Sequence, residues 1–283
     1  MKKWHLIIDV EKCEDCNNCF LACKDEHVDN DWPGYSSPQP RHGHRWINIQ
    51  RKERGKYPMV DVAYLPTPCM HCEQAPCVAK TGGDAVYQRQ DGIVLIDPVK
   101  AKGRKDLLGA CPYGAIYWNK DLDIPQKCTF CAHLLDEGWK EPRCVGACAT
   151  GAIRALLITD EEMRTTAAAE GLEVLHPEYG TAPRVYYKNL HRFNKCFLGG
   201  SVAVMINGRE ECAEGAKVRL NNGPLVTETT TDCFGDFRFD NLERGGATYL
   251  LEITHRDYQS KGLAIDLEQS VTLGTITLVQ IAA

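Results

Sequence analysis

The sequence contains no apolar run long enough to cross a membrane. A membrane-spanning helix needs about 20 consecutive apolar residues, and no stretch of the 283 residues approaches that length. Near the start, the apolar run that follows Lys2 and Lys3 is cut by Asp9 and Glu11, which leaves it too short for the core of a signal peptide. We therefore predict a cytoplasmic protein without a membrane span. Export together with a partner that carries its own signal is the alternative.

The sequence also lacks an excess of basic residues. It has 33 Lys and Arg against 38 Asp and Glu, which gives a net charge of −5. Nucleic acids and anionic membranes bind to basic protein surfaces, because their own charge is negative. No nucleic-acid partner is therefore predicted.

Recognisable catalytic motifs are absent as well. The sequence shows no nucleophile placed beside a base by a known motif, and no glycine-rich loop of the kind that cradles phosphate. We therefore predict no catalytic residue in this chain, and we expect any chemistry on a substrate to take place in another subunit.

Cysteine, in contrast, is abundant. Of fifteen cysteines, twelve lie between Cys13 and Cys148. In a reducing compartment, so many cysteines indicate metal binding rather than disulfides. The twelve fall into spaced groups, which are Cys13-x2-Cys16-x2-Cys19-x3-Cys23, Cys69-x2-Cys72-x4-Cys77, the single Cys111, and Cys128-x2-Cys131-x12-Cys144-x3-Cys148.

The spacing of the first group is typical of iron–sulfur ligation. Three thiolates separated by two residues can turn toward one [4Fe–4S] cluster, while the fourth cysteine, on the helix that follows, binds a different cluster. A single Cys-x2-Cys pair would also suit zinc or a redox pair. Because several groups occur together, we interpret them as cluster ligands. Cys196, Cys212 and Cys233 share no spacing with the groups and are predicted to be plain thiols.

The pattern along the chain predicts two domains, residues 1–198 and 199–283. In the first, short β-like runs at 6–10, 92–97 and 115–119 alternate with the cysteine groups, and 172–198 reads as a connector. A helix is predicted over Asp160–Glu170, because Thr159 can cap its start with Glu162 and Gly171 follows its end. The second domain reads as seven alternating strands, with turns such as Asn207-Gly208, Asn222-Gly223 and Gly245-Gly246. This pattern is typical of a β-sandwich or small barrel.

The cysteine groups resemble the four-cluster ferredoxin-type subunits of molybdopterin oxidoreductases. The strings that carry the resemblance include Pro68-Cys69-Met70-His71-Cys72, Cys111-Pro112-Tyr113-Gly114 and Lys127-Cys128-Thr129-Phe130-Cys131. The resemblance implies an α+β ferredoxin-like domain made of two pseudo-symmetric ferredoxin units. In it the first cysteine group pairs with the fourth, and the second group pairs with the third.

This pairing implies three complete [4Fe–4S] sites. They are the first site (Cys13, Cys16, Cys19 and Cys148), the second site (Cys128, Cys131, Cys144 and Cys23) and the third site (Cys69, Cys72, Cys77 and Cys111). The fourth site of the family is missing, because its four ligand positions hold Thr81, Ala101, Arg104 and Leu107.

Within this family, the chain is similar to the small subunits of transhydroxylases, molybdenum enzymes that move hydroxyl groups among trihydroxybenzenes. The similarity is carried by Asp31-Trp32-Pro33-Gly34-Tyr35, Gly43-His44-Arg45-Trp46 and residues 89–98, 183–189 and 234–240. It implies an electron-transfer subunit in complex with a large catalytic subunit that holds molybdenum bis-molybdopterin guanine dinucleotide. The C-terminal domain resembles transthyretin-like and carboxypeptidase-regulatory modules, which leaves open whether it binds a partner or only stabilises the chain.

Two other functions fit the same cysteines. The chain could belong to a net redox molybdoenzyme, such as a resorcinol hydroxylase or a catechol dehydroxylase. It could also be a free-standing polyferredoxin that carries electrons without a fixed partner. The long segment 24–68 and the added β domain speak against the polyferredoxin, because a shuttle benefits from a small surface.

Overall fold

The structure, a computed structural model, describes residues 1–223, 226–245 and 248–281. Two compact units divide the chain. The first unit is formed by Met1–Arg51 and Tyr64–Leu190, and the second by Lys52–Ala63 and His191–Ala283. The division after residue 190 differs from the predicted boundary at 198, and the second unit takes in a further segment from the first half of the chain.

The first unit is built from many short elements. In chain order they are β1 (Lys3–Asp9), α1 (Asn18–His27), β2 (Ile47–Lys56), β3 (Met59–Pro68), α2 (Pro76–Thr81), β4 (Val86–Gln88), β5 (Val94–Ile96), β6 (Tyr117–Asn119), β7 (Ile124–Gln126), α3 (Ala132–Asp136), α4 (Arg143–Gly146), β8 (Ile153–Ile158), α5 (Asp160–Glu170), β9 (Glu173–Val174) and β10 (Val185–Lys188). Lys105–Ala110 and Pro177–Tyr179 form 3₁₀ turns.

A four-stranded sheet has the order β8-β1-β10-β9. Strand β1 runs parallel to β10 and antiparallel to β8. Ile7, Ile8 and Tyr187 of this sheet are fully buried, and the Tyr187 hydroxyl donates a hydrogen bond of 3.0 Å to the carbonyl of Pro66. The interpretation of 172–198 as a connector was therefore wrong for β9 and β10. The side chains of β10 alternate between buried and half-buried positions, and β9 pairs with β10, so that part of the chain belongs to the sheet of the first unit.

Three two-stranded hairpins complete the β structure, namely β2–β3, β4–β5 and β6–β7. The first hairpin lies within the segment 24–68 and was not predicted. Its outer half belongs to the second unit, where the buried Arg54 forms ion pairs with Asp61 and Asp240. Burial alone would raise the pKa of Asp61, but Arg238, Arg54 and Arg192 lower it to about 2. Charge pairing therefore holds the hairpin tip in that unit.

Helix α5 forms as predicted. The Thr159 side chain accepts a hydrogen bond from the backbone N–H of Glu162, and the Glu162 carboxylate accepts one from the backbone N–H of Thr159. This reciprocal capping box satisfies two donors that the first turn leaves free. Gly171 ends the helix in the left-handed conformation (φ 63°), which suits a residue without a Cβ.

Among its described residues, the second unit contains the short helix α6 (His191–Asn194) and eight strands. The strands are β11 (Cys196–Ile206), β12 (Arg209–Cys212), β13 (Lys217–Asn221), β14 (Val226–Thr230), β15 (Asp236–Leu242), β16 (Thr248–Thr254), β17 (Lys261–Asp266) and β18 (Val271–Leu278). The additional strand is β12, whose residues are all exposed and so give no alternating signal. Leu225 of a predicted strand and Gly246 of a predicted turn lie outside the described residues, as do the last two residues of the predicted domain.

These strands form two sheets around one core. Strand β11 pairs with β12, β15 and β18, and the other sheet has the order β14-β13-β16-β17. Inward-facing residues from both sheets, including Leu198, Phe237, Val218 and Leu251, are buried in the same hydrophobic cluster. The unit therefore has a core of its own, independent of the cysteine groups.

In the ranges 1–223, 226–245 and 248–281, no helix combines the length and the apolar character that crossing a membrane requires.

Helix α5 allows a direct test of its cap. Replacing Thr159 by Ala removes the side-chain acceptor at the helix start, which costs about 1 kcal/mol in comparable caps. We expect amide hydrogen exchange in a peptide covering 159–171 to become roughly fivefold faster, measured by mass spectrometry. Thr165→Ala is the control, because that exposed hydroxyl donates to the Glu161 carbonyl within the helix. Equal exchange in both variants would contradict the role of the cap.

Candidate metal centres

The first cysteine group lies on a loop that turns sharply into α1. Asp15 and Asn17 both have positive φ, 56° and 61°, a conformation that Asp and Asn tolerate better than most residues. The loop carries Cys13 and Cys16, whereas Cys19 and Cys23 lie one helical turn apart on α1. Cys16 is exposed, whereas Cys19 and Cys23 are buried.

The structure brings the four cysteines of the first site together. Burial, together with the charges of Cys13 and Cys148, raises the pKa of the Cys19 thiol to about 12. Burial also raises the pKa of Cys13, and here Cys148 and Cys16 add to the effect. Because charges interact strongly only at short range in a protein, Cys148 lies beside the first group although more than a hundred residues separate them.

The four cysteines of the second site line one cavity. Burial raises the pKa of Cys23 and Cys144 well above the ordinary thiol value, and it raises that of Cys131 to about 12. The other lining is largely apolar and comprises Leu6, Trp46, Ile47, Pro68, Phe130 and Pro142, with His27, Thr129 and Cys69. Buried thiols with such raised pKa values stay protonated unless a metal takes the place of the proton.

The third site gathers Cys69, Cys72, Cys77 and Cys111. Burial, together with the charges of Cys69 and Cys111, raises the pKa of Cys72 to about 12. Burial likewise raises the pKa of Cys77 to about 11, and the charge of Cys69 adds to the effect. Cys77 lies in the first turn of α2, and Cys111 directly follows the 3₁₀ turn Lys105–Ala110.

The second site lies between the first and the third. Cys19 and Cys23, one turn apart on α1, belong to the first and second sites, respectively. Cys69 of the third site lines the cavity of the second site, and its backbone N–H donates a hydrogen bond to the sulfur of Cys128. The three sites therefore form a continuous series.

Protein side chains fill the positions where the family's fourth site would lie. Ala101 and Leu107 are completely buried. The Thr81 hydroxyl donates to the Val86 carbonyl at 3.1 Å and accepts from the Val86 N–H at 3.1 Å. Arg104 forms an ion pair with Asp106. Each position is occupied by packing, hydrogen bonding or ion pairing rather than by a sulfur ligand.

The second site shows that the residues present fit a cluster. Three buried side-chain atoms in its wall have no hydrogen-bond partner among the described residues, namely Nδ1 of His27, Nε1 of Trp46 and Oγ1 of Thr129. Buried polar groups are normally paired, and the sulfur atoms of a cluster would supply acceptors. The Phe130 N–H already donates to the Cys128 sulfur at 3.4 Å. Such bonds tune the potentials of iron–sulfur clusters.

The thiols are not arranged around a single metal ion. No group of three or more His, Cys, Asp or Glu side chains within the described ranges could hold one ion. The four thiolates of a [4Fe–4S] cluster each bind a different iron, so they surround the cluster rather than converge on one point.

Several residues near these sites were not predicted to belong to them. Lys127, His27 and Trp46 are buried beside the cysteines. Lys127 and Trp46 occur in strings that carry the family resemblance, but nothing in those strings indicates their burial. The burial of Lys127 depends on residues that are distant in the sequence. The same holds for the contact between cysteines more than a hundred residues apart, so only the folded chain shows either. Cys196 lies in the core of the second unit, whereas Cys212 and Cys233 are exposed, and all three lie outside the three sites.

Comparisons with known proteins agree with these groups. Residues 60–156 match a family described as a 4Fe-4S dicluster domain. The chain is 52% identical over 282 residues to the pyrogallol hydroxytransferase small subunit of Pelobacter acidigallici, which covers 98% of this chain and 100% of that protein.

Two further relatives are more distant. A subunit of the tetrathionate reductase of Salmonella typhimurium is 32% identical over 66% of this chain and 73% of its own length. A putative dimethyl sulfoxide reductase iron-sulfur subunit of Halobacterium salinarum is 33% identical over 67% of this chain and 80% of its own length.

The assignment of ligands to sites can be tested with paired substitutions. Cys23→Ala and Cys144→Ala each remove a ligand of the same predicted cluster, so the double variant should lose no more iron than either single variant, about four atoms. Cys23→Ala combined with Cys13→Ala should instead lose about eight, because two clusters are affected. Iron and sulfide analysis of the purified protein measures both, with Cys212→Ala as the control that keeps all iron. Equal losses in the two double variants would contradict the assignment.

Proposed function

The chain belongs to the family of iron–sulfur subunits of molybdoenzymes that includes the pyrogallol hydroxytransferase small subunit, and on that premise we propose that it carries electrons on three [4Fe–4S] clusters. The observation that carries this proposal is the grouping of twelve cysteines into three sets of four, with a cavity at the second set. The two pseudo-symmetric ferredoxin units implied by the cysteine pairing remain part of the proposal.

The chain's own residues would hold and tune the clusters. The twelve thiolates bind the iron, the apolar walls exclude water, and backbone N–H groups such as that of Phe130 donate to sulfur. When bound, the clusters supply one-electron storage and transfer. We propose that the protein works in the cytoplasm, a reducing compartment in which so many cysteines indicate metal binding rather than disulfides.

We further propose a heterodimer with a large subunit that holds molybdenum bis-molybdopterin guanine dinucleotide and acts on polyhydroxylated aromatics. Two observations support it. The similarity to the pyrogallol hydroxytransferase small subunit runs through both units of the chain, and the chain itself carries no recognisable catalytic motif. In that assembly, this subunit would exchange electrons with the molybdenum site but would not touch the substrate.

The missing fourth site favours the transhydroxylase reaction over net oxidation or reduction. An enzyme that exports electrons at each turnover needs a complete path to an external acceptor. Moving a hydroxyl group between two trihydroxybenzenes is redox-neutral overall, so electrons need only be stored or returned. The series of three sites remains continuous, because the second site joins the other two. The absence of the fourth site therefore shortens the series of cluster sites without interrupting it.

The cluster count gives a first test. The purified heterodimer should contain about twelve iron and about twelve sulfide in this subunit, after the metals of the partner are subtracted. Iron and acid-labile sulfide analysis with quantitative electron paramagnetic resonance measures this number. About sixteen iron atoms, or stoichiometric zinc, would contradict three clusters.

Turnover without an external electron acceptor gives the second test. We expect the anaerobic heterodimer to convert polyhydroxylated aromatics with only an aromatic cosubstrate present, because the reaction needs no net electron flow. The rate is measured with and without an artificial acceptor, and with and without a low-potential donor. Strict need for the acceptor would favour a resorcinol hydroxylase type of reaction, and strict need for the donor a catechol dehydroxylase type. A fully loaded, stable monomer without a partner would favour the polyferredoxin.

A further inference from the structure

Lys127 is a buried lysine beside the second site. Its residue is 3% exposed, and it directly precedes Cys128. Its Nζ donates hydrogen bonds to the carbonyl oxygens of Val94 and, at 3.0 Å, of Cys128 itself. Across the described parts of the chain, no carboxylate lies within ion-pair distance of Nζ. The ammonium group is therefore held by carbonyl dipoles alone.

Such burial is unusual for a lysine. Lysines are almost never fully buried unless they are paired, because removing a charge from water is costly unless another charge compensates it. Two carbonyl oxygens compensate only in part. A buried ammonium without a carboxylate therefore requires a negative group of another kind nearby.

The surroundings of Lys127 include thiols of two different sites. Cys128 of the second site is its neighbour in sequence. On the other side, the Val94 N–H donates a hydrogen bond of 3.0 Å to Nδ1 of His71, which lies between Cys69 and Cys72 of the third site. Since the Val94 carbonyl accepts from Lys127, the backbone of Val94 links the ammonium to the third site.

The cations beside the first site are of a different kind. Arg51 is exposed and forms an ion pair with Asp15, and Arg45 donates a hydrogen bond of 2.9 Å to Oδ1 of Asn17. Lys127 is buried and contacts the backbone beside the second and third sites instead. Its charge therefore acts mainly on those two sites.

We propose that the ammonium of Lys127 is a counter-charge shared by the clusters of the second and third sites, and that it raises the reduction potentials of both while leaving the first unchanged. This inference rests on the proposed function, since it requires clusters at these sites. A [4Fe–4S] cluster with four thiolates is negatively charged, and reduction adds one more negative charge. A fixed positive charge in a poorly screened interior stabilises the reduced form more than the oxidised form.

A shared counter-charge has a consequence for electron storage. Because one cation acts on both clusters, it shifts both potentials in the same direction and favours an electron on either of these two clusters over one on the first site. Lys127 is thus a positioning residue for the electron rather than a ligand.

The test uses the purified heterodimer with Lys127→Gln, which keeps a hydrogen-bond donor but removes the charge, and Lys127→Met, which removes both. Redox titration followed by electron paramagnetic resonance gives the three cluster potentials, and signals are assigned with the cysteine variants. We expect two potentials to fall in both variants, those of the second and third sites. Lys100→Gln is the matched control, because that lysine forms an exposed ion pair with Asp84 and should change no potential.

In variants that keep all their iron, three outcomes would overturn the proposal. They are unchanged potentials in Lys127→Gln, a fall at one site only, and an equal fall at all three. If either variant loses iron, loss limited to the second and third sites, about eight atoms, supports the shared charge. Loss from all three sites would indicate a general folding defect and overturn it. The iron content of the unmodified protein is measured first, so that failure of the three-cluster proposal is recognised separately.

Discussion

The cost of placing cysteine thiolates in a water-poor interior is the constraint on which the first unit depends. Burial is the largest influence on the thiol pKa at each of the three sites, and neighbouring thiols add to it. The helices that carry or directly follow these thiols are short, with six residues in α2, five in α3 and four in α4. Helices of this length are not stable alone, so the energy of metal binding is also folding energy for this part of the chain.

The second unit depends on a different interaction. Its two sheets bury a common set of apolar side chains, and none of the twelve grouped cysteines belongs to that core. Its stability therefore comes from hydrophobic burial, which needs neither iron nor a particular redox state. The stability of the first unit therefore depends on the supply of clusters, whereas that of the second unit depends on temperature and solvent.

Local chemistry explains which parts of the fold could be predicted. Helix α5 follows from Thr159, Glu162 and Gly171, because a cap depends only on residues within a few positions. The cysteine groups are equally local, and their resemblance to a family supplied the pairing. Hairpin β2–β3 was not predicted because its strand residues are mostly polar at the tip. Strand β10 was not predicted because its partner strand β1 lies near the other end of the unit in the sequence. Lys127 was missed because burial is decided by distant residues.

Helix α1 also sets the distance between two of the cysteine sites. Cys19 and Cys23 are one turn apart on it and are the proposed ligands of two different clusters, so the rise of an α-helix, about 1.5 Å per residue, fixes the spacing between their sulfur-bearing positions. A single inserted residue between them would rotate Cys23 by about 100° and point its thiol away from the cavity of the second site. In the proposed arrangement, the gap between two electron carriers is set by the pitch of one helix, and neither cysteine can shift in the sequence without the other.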